Sequence, residues 1–438
     1  MRMRPRHLLF VAAFGVATLA ACSGSGGTAG VAPAAPTPTP AATATGTPTP
    51  RPSTSPSGAP TPTASPTPTA TPKATGSPVA TASPTPTASP TSSPTATPTA
   101  TPRPSATPSP TPTPSASPTP TTNACNFTIT EFPLPAGSAP DYITAGPDGA
   151  LWFADNGLSK IGRITTAGVV TEYATPTANS GPFSITVGSD HNLWFTEFNA
   201  GKIGKITTAG VITEYTSTNF FRPWNITSGP DGALWFTDNS SGAVGRLLTS
   251  GTGATEYAVP GQGAGNNREP YGIVAGPDGA LWITDFLGAI DRMTTAGTVT
   301  NNYLISGSEP NIIVPGPDGA LWYTLSFQYA IGHITTTGTN HFFPTPTGGP
   351  QSYSNGIAVG GDGALWFALN ASAIGRITTS GSVTECPTPT KPVVGTSLPF
   401  GMTGGPDAAM WFTENEAGKI GRIPLSSVTA NRRQPMKQ

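Results

Sequence analysis

The side chains best suited to chemistry recur at fixed distances from a repeated tryptophan. Three residues after it stand Asp155, Glu197, Asp238, Asp285 and Glu414, with Leu325 and Leu369 at the same place in two further copies. Carboxylates so arranged suit a hard cation such as Mg2+, which takes oxygen ligands and keeps waters; they equally suit the capping of strand ends and loops. Ahead of each tryptophan, after a proline or its equivalent, stand Asp141, Phe183, Trp224, Tyr271, Asn311, Asn355 and Phe400. Aromatic and amide groups gathered at one mouth suit a flat or amphipathic small molecule, peptide or glycan. Imidazole, the commonest general base, is scarce. Of the four histidines, His7 lies near the N-terminus, His191 in a turn and His341 in an outer strand, while His333 fills a slot that the other copies give to Arg or Lys.

The elements that must position these groups are legible from the repeat. GPDGALWF or a close variant begins at Gly146, Gly188, Gly229, Gly276, Gly316, Gly360 and Gly405, and the tryptophans Trp152 to Trp411 are spaced by 40 to 47 residues. That period, with several short strands per unit and no helical run, predicts an all-β, seven-bladed β-propeller of four-stranded antiparallel blades. In the first unit the strands are expected at Tyr142–Ala145, Ala150–Ala154, Lys160–Thr165 and Val169–Tyr173, with Pro-Asp-Gly closing the first turn. The last unit stops at Pro424 without a fourth strand, whereas Phe127–Phe132 matches the Val-x-Thr-Glu-Tyr pattern of fourth strands. An N-terminal strand is therefore expected to complete the last blade and close a monomeric ring.

The tryptophans are expected to pack between blades. The basic residues Arg163, Lys205, Arg246, Arg292, Arg376 and Arg422 are expected to pair across strands with Glu172, Glu214, Glu256, Glu385 and Glu131, on one face of each blade. Variable connections, including the insertion Pro260 to Glu269, collect on one side of the ring, which marks that side as the binding face.

The rest of the chain speaks of location. Residues 1–21 combine Arg2, Arg4 and Arg6 with a short apolar run, the pattern of an export signal, and Leu19-Ala20-Ala21-Cys22 resembles the lipobox of bacterial lipoproteins. That resemblance implies a membrane anchor through lipidated Cys22 and a domain outside the cytoplasm, in the bacterial cell envelope. Residues 22–124 are rich in Pro, Thr, Ser and Ala, too poor in apolar surface to fold, and read as an extended stalk. The propeller is expected over 125–425 and a short basic tail over 426–438. With 21 Lys and Arg against 22 Asp and Glu, the net charge is −1, which argues against a nucleic-acid partner. Cys125 and Cys386 invite a disulfide in an exported chain. Strand register sets them roughly 20 Å apart, however, so the bond requires the segment before Phe127 to fold back.

GPDGALWF followed by KIGRITTAGVVTEY resembles the virginiamycin B lyase family, the streptogramin B lyases, from about residue 126 to 424. The resemblance implies a seven-bladed propeller and, in true lyases, a Mg2+-assisted elimination that opens the ester of a cyclic depsipeptide. It further implies histidines after the proline of the last two blades, one within Glu-Pro-His, and a glutamate that helps hold the metal. Here those positions read Asn355 and Phe400, with Leu398 in place of the Glu, and only Glu414 matches. The expectation is a binding propeller without the elimination chemistry; the alternative is a lyase with another base, Asp141 or Tyr271.

Overall fold

The computed structural model describes residues 119–122 and 128–426, apart from 218–219, 261–267, 306, 327, 347–353, 371 and 390–398. The expected signal, Cys22, the expected stalk up to 118, Cys125, Leu398 and residues 427–438 of the expected tail lie outside the described residues. The described chain forms seven antiparallel blades in a ring, each ordered a-b-c-d from the axis outward. Blade 1 comprises Pro140–Ala145, Leu151–Asp155, Lys160–Ile164 and Val170–Ala174. Blades 2 to 6 span 182–216, 223–258, 270–304, 309–344 and 354–387.

Blade 7 carries the closure. Pro399–Gly404, Ala409–Glu414 and Lys419–Pro424 are joined by Thr128–Pro133 as fourth strand, with Thr130 opposite Arg422 and Pro133 opposite Lys419. Phe132 and Trp411 then pack with Ile143, Leu151 and Phe153 of blade 1, sealing the last blade against the first. A fifth strand, Thr119–Thr122, pairs outside Thr128–Pro133. It falls within the stretch that the sequence reads as stalk.

Each blade hides its strand-b tryptophan completely. Trp152 stacks on Tyr173 and packs against Ile185, Leu193 and Phe195 of blade 2, so the rings do lie between blades. Their indole N–H groups would be costly to bury unpaired. The turn aspartate solves this: Asp148 Oδ1 accepts from Trp152 Nε1 at 3.0 Å, and every other blade repeats the bond.

That same aspartate corrects the expected ion pairs. Arg163 bonds Asp148 at 2.7 Å, and Arg246, Arg292, Arg376 and Arg422 likewise take the aspartates of their own turns. Glu172 bonds Lys160 instead, as Glu214 bonds Lys202 and Glu131 bonds Lys419. The reason is register. Arg163 lies opposite Thr171 and Glu172 opposite Gly162, so the two side chains leave opposite faces of the sheet. In blade 5 His333 reaches Asp318 at 3.2 Å, which makes it a scaffold residue in the arginine slot.

Candidate functional site

Two residues of every inner strand oppose one residue of strand b, a β-bulge repeated seven times. In blade 3 Pro223 pairs with Asp238 and Ile226 with Phe236, leaving Trp224 and Asn225 opposite Thr237. Bulges re-aim side chains, and here they turn the residue after the proline toward the end of the ring that bears the d–a loops. The bulged peptides lose their ladder partners, and in five blades a threonine on strand b replaces them, blades 1 and 6 having Ala154 and Ala368 there. Thr237 Oγ1 accepts from Asn225 N at 3.1 Å and donates to Tyr271 O of blade 4 at 2.7 Å. Thr196 does the same between Ser184 N and Trp224 O, and Thr413 between Gly401 N and Asp141 O. Inner strands approach closely at this level: a Cβ on Gly401 would lie 2.5 Å from Asp141 O.

The bulges divide the mouth into two sectors. Phe183 contacts Trp224 at 4.1 Å between ring centroids, Trp224 contacts Tyr271 at 5.1 Å, and Phe183 meets Phe400 at 5.8 Å. Phe198 and Phe286, each following the acidic position of its blade, back Trp224 and Tyr271. Opposite them the groups are amides. Asn355 Nδ2 donates to Asn370 Oδ1 at 2.6 Å, and Asn311 follows Pro310 in strand a of blade 5, Glu309–Pro315. Asp141 is 3% exposed, its carboxylate accepting from Asn156 Nδ2 at 3.1 Å and Asn415 Nδ2 at 2.5 Å. Burial pushes this carboxyl well above the usual range, against the opposing pull of those amides.

Tyr142 was not among the residues expected at the mouth. It holds the second bulge position of blade 1, and its ring meets both Phe183 and Phe400 edge-on at 5.3 Å. It packs on clusters that include Ile185 on one side and Ile312 and Ile357 on the other, so it bridges the channel and floors the mouth. Its column otherwise reads Ser184, Asn225, Gly272, Ile312, Gly356 and Gly401. An aromatic among mostly small residues is the signal that would have found it.

The acidic ring separates into two kinds. Asp155, Asp238 and Asp285 cap loops: Asp238 alone accepts four backbone N–H groups, from Phe221, Arg222, Ser240 and Ser241. Asp155 accepts from Ala139 N and Leu158 N. Asp285 accepts from Glu269 N and Leu287 N and also pairs with Arg268, which the buried Asp291 flanks. Glu197 and Glu414, one methylene longer, do not cap. Both are fully buried; the carboxyl oxygens of Glu414 have no hydrogen-bond partner, while Glu197 lies against Ser180 and Glu214. Burial pushes Glu197 up to about 7 and Glu414 up to about 8, in the latter case with Glu131 adding to the rise.

These residues do not fit a Mg2+ site. Among the described residues no three His, Cys, Asp or Glu side chains converge as ligands. Glu414, the one position that matches the resemblance, is accompanied by Asn355 and Phe400 where the resemblance calls for histidines, and a single carboxylate is too small a protein donor set for the metal site that the resemblance implies. Asn355 is engaged with Asn370, and Phe400 packs on Tyr142, so neither position supplies a base. The three described histidines lie in a turn, in strand c and in strand d, away from the mouth. Cys386 is buried and disulfide-bonded; the expected partner, Cys125, lies outside the described residues.

The virginiamycin B lyase family profile matches residues 121–266 and 264–438. A solved streptogramin B lyase is 34% identical, with 68% of this chain and 97% of that chain covered and a TM-score of 0.62. Virginiamycin B lyase from Staphylococcus aureus, in its selenomethionine form, is also 34% identical over 68% of this chain and 99% of that one, at TM-score 0.62. A catalytically inactive form of the Staphylococcus aureus enzyme, solved with quinupristin, is 33% identical with the same coverage and TM-score. A search of curated proteins gave no match. With family profile, sequence identity and blade architecture in agreement, the chain belongs to the virginiamycin B lyase family.

Proposed function

We propose that this chain is a lipid-anchored binding propeller of the cell envelope, tethered to the membrane through Cys22, that seats a small molecule, peptide or glycan at its mouth without performing the family's elimination. The observation that carries this reading is the chemistry of the mouth. The half-buried rings of Phe400, Trp224 and Tyr271, packed around a buried Phe183, supply apolar area, and the two positions where the resemblance calls for imidazole hold an amide and a phenyl ring. Elimination needs a base beside a C–H bond and a stabiliser for the developing charge. Neither Asn355 nor Phe400 can accept a proton. All seven blades come from one chain, which supports a mouth that needs no second copy.

The test is incubation of the purified mature chain with a streptogramin B and Mg2+. The antibiotic should remain cyclic, while Trp224→Ala should weaken binding of whatever ligand is found and leave the ring folded. Linearisation above the uncatalysed rate would refute the reading.

A second reading is favoured by one observation, the buried carboxyl of Asp141 with its raised pKa at the edge of the mouth. As a base it would take the proton from carbon; that electron pair would form a C=C bond as the ester C–O bond breaks and the carboxylate leaves. Ring opening that disappears in Asp141→Asn would establish it.

A further inference from the structure

The two ends of the propeller chain meet in blade 7, and the joint between blade 6 and blade 7 is built differently from the other six. In blade 1 Tyr173 of strand d stacks on Trp152, and its ring lies where a Cβ on Gly210, in the c–d turn of blade 2, would have to go. An aromatic residue in this slot does the same at every joint except that from blade 6 to blade 7. Blade 6 has Cys386 in the slot, paired with Ile374 as Tyr173 is with Ile161. Blade 7 has no c–d turn for it to face, because strands c and d of that blade come from opposite ends of the chain. Cys386 is 1% exposed and disulfide-bonded.

Reach identifies the partner. The sequence holds two other cysteines, Cys22 and Cys125. At the other joints the slot side chain meets a glycine that stands five or six residues ahead of the next blade's own slot residue. Counted back from Phe132, the slot residue of blade 7, this lands on Phe127 and Asn126, beside Cys125. The stagger between neighbouring blades, invisible to a count along strands, thus removes most of the separation that strand register predicts. Ile129 packs in one core with Cys386, Trp366 and Leu425, which brings the start of the closing strand to the slot. The chain also turns back here: Thr122 lies opposite Thr128, and the five residues that join them have Cys125 at their centre.

We propose that a Cys125–Cys386 disulfide is the clasp of the ring, fastening blade 6 to the N-terminal segment that completes blade 7. It replaces the aromatic–glycine contact of the other joints and makes ring closure respond to redox conditions. Forming it joins the two sulfurs, releases two protons and passes two electrons to a disulfide of an exchange partner, which leaves as two thiols. A dithiol reductant reverses the step, becoming a disulfide itself, and leaves the closing strand held by its ladder bonds and core side chains alone. Cross-links that close long loops restrict the unfolded chain most, and this loop encloses blades 1 to 6. The clasp is independent of what the mouth binds.

The test begins with digestion of the folded mature chain without reductant and identification of linked peptides by mass. The Cys125 and Cys386 peptides should emerge joined and separate on reduction. Wild type refolded in a dithiol reductant should melt about 5 to 10 °C below the oxidised chain, and its amide exchange should rise more in 128–133 than in the fourth strands of blades 1 to 5. Cys125→Ser, which leaves the buried Cys386 side chain in place, should melt with the reduced wild type and cease to respond to reductant. A Cys386 peptide linked to Cys22, or left unlinked, overturns the inference. So does a Cys125→Ser chain as stable as the oxidised wild type, or exchange that rises equally in all blades.

Discussion

Replacing Glu414 by glutamine should change how the stability of the ring depends on pH. Glu414 is fully buried, neither of its oxygens has a partner, and its pKa is raised from 4.5 to about 8. Between those values the unfolded chain releases a proton that the folded chain keeps. Folding therefore binds protons in this window, and stability falls as pH rises through it. At about 1.4 kcal/mol for each pH unit, the full window amounts to on the order of 5 kcal/mol. Glutamine cannot ionise, so Glu414→Gln removes the slope. Its amide brings new buried donors whose cost does not depend on pH, so the slope rather than the absolute stability is the readout. At about 2 °C for each kcal/mol in a domain of this size, the melting temperatures of variant and wild type should converge or cross by up to about 10 °C between pH 4.5 and 8.5. Calorimetry in matched buffers measures this. Parallel melting profiles across the window would refute the claim that burial holds Glu414 protonated in the folded ring.

Two other substitutions probe the scaffold. Asp278→Ala removes the acceptor of Trp282 Nε1 and the partner of Arg292; a buried indole N–H left unpaired should cost about 1–3 kcal/mol in urea unfolding, and a loss below a few tenths would count against the role given to the turn aspartate. Thr237→Val keeps shape but removes both bonds of the bulge at blade 3. It should lower stability by a similar amount and disturb Trp224 emission, whereas Thr237→Ser should preserve the emission.

Much of the fold was legible because it is a repeat. The strands of blade 1 fall within a residue or two of their expected places, and the strand that completes blade 7 was readable from Thr-Glu at 130–131. Patterns that recur seven times average out local ambiguity. Where the sequence misled, one residue of register decided. Counting Arg163 and Glu172 onto one face ignored the pairing of Ile164 with Val170, and a slip of one residue in a strand moves a side chain to the other face. The fifth strand at 119–122 left no signal, since Thr-Pro-Thr-Thr differs little from the tract before it. At the mouth, the first residue after each proline was visible from spacing. The contribution of Tyr142 was not, because a bulge turns two successive residues inward and spacing alone cannot count them. The division of the acidic ring into capping aspartates and buried glutamates that do not cap depends on one methylene, a difference that residue type hints at but only the loop geometry decides.

The threonine bonds at the bulges have a consequence for how such a protein changes over generations. Strand-b hydroxyls hold the peptide groups of the mouth, so the scaffold makes no demand on the identity of the outward-facing side chain at Trp224, Tyr271 or Asn311. Substitution there alters the surface offered to a guest and leaves the fastening of neighbouring blades as it was. Recognition can thus drift at the four addresses so held, Asp141, Trp224, Tyr271 and Asn311, while the architecture stays as it is.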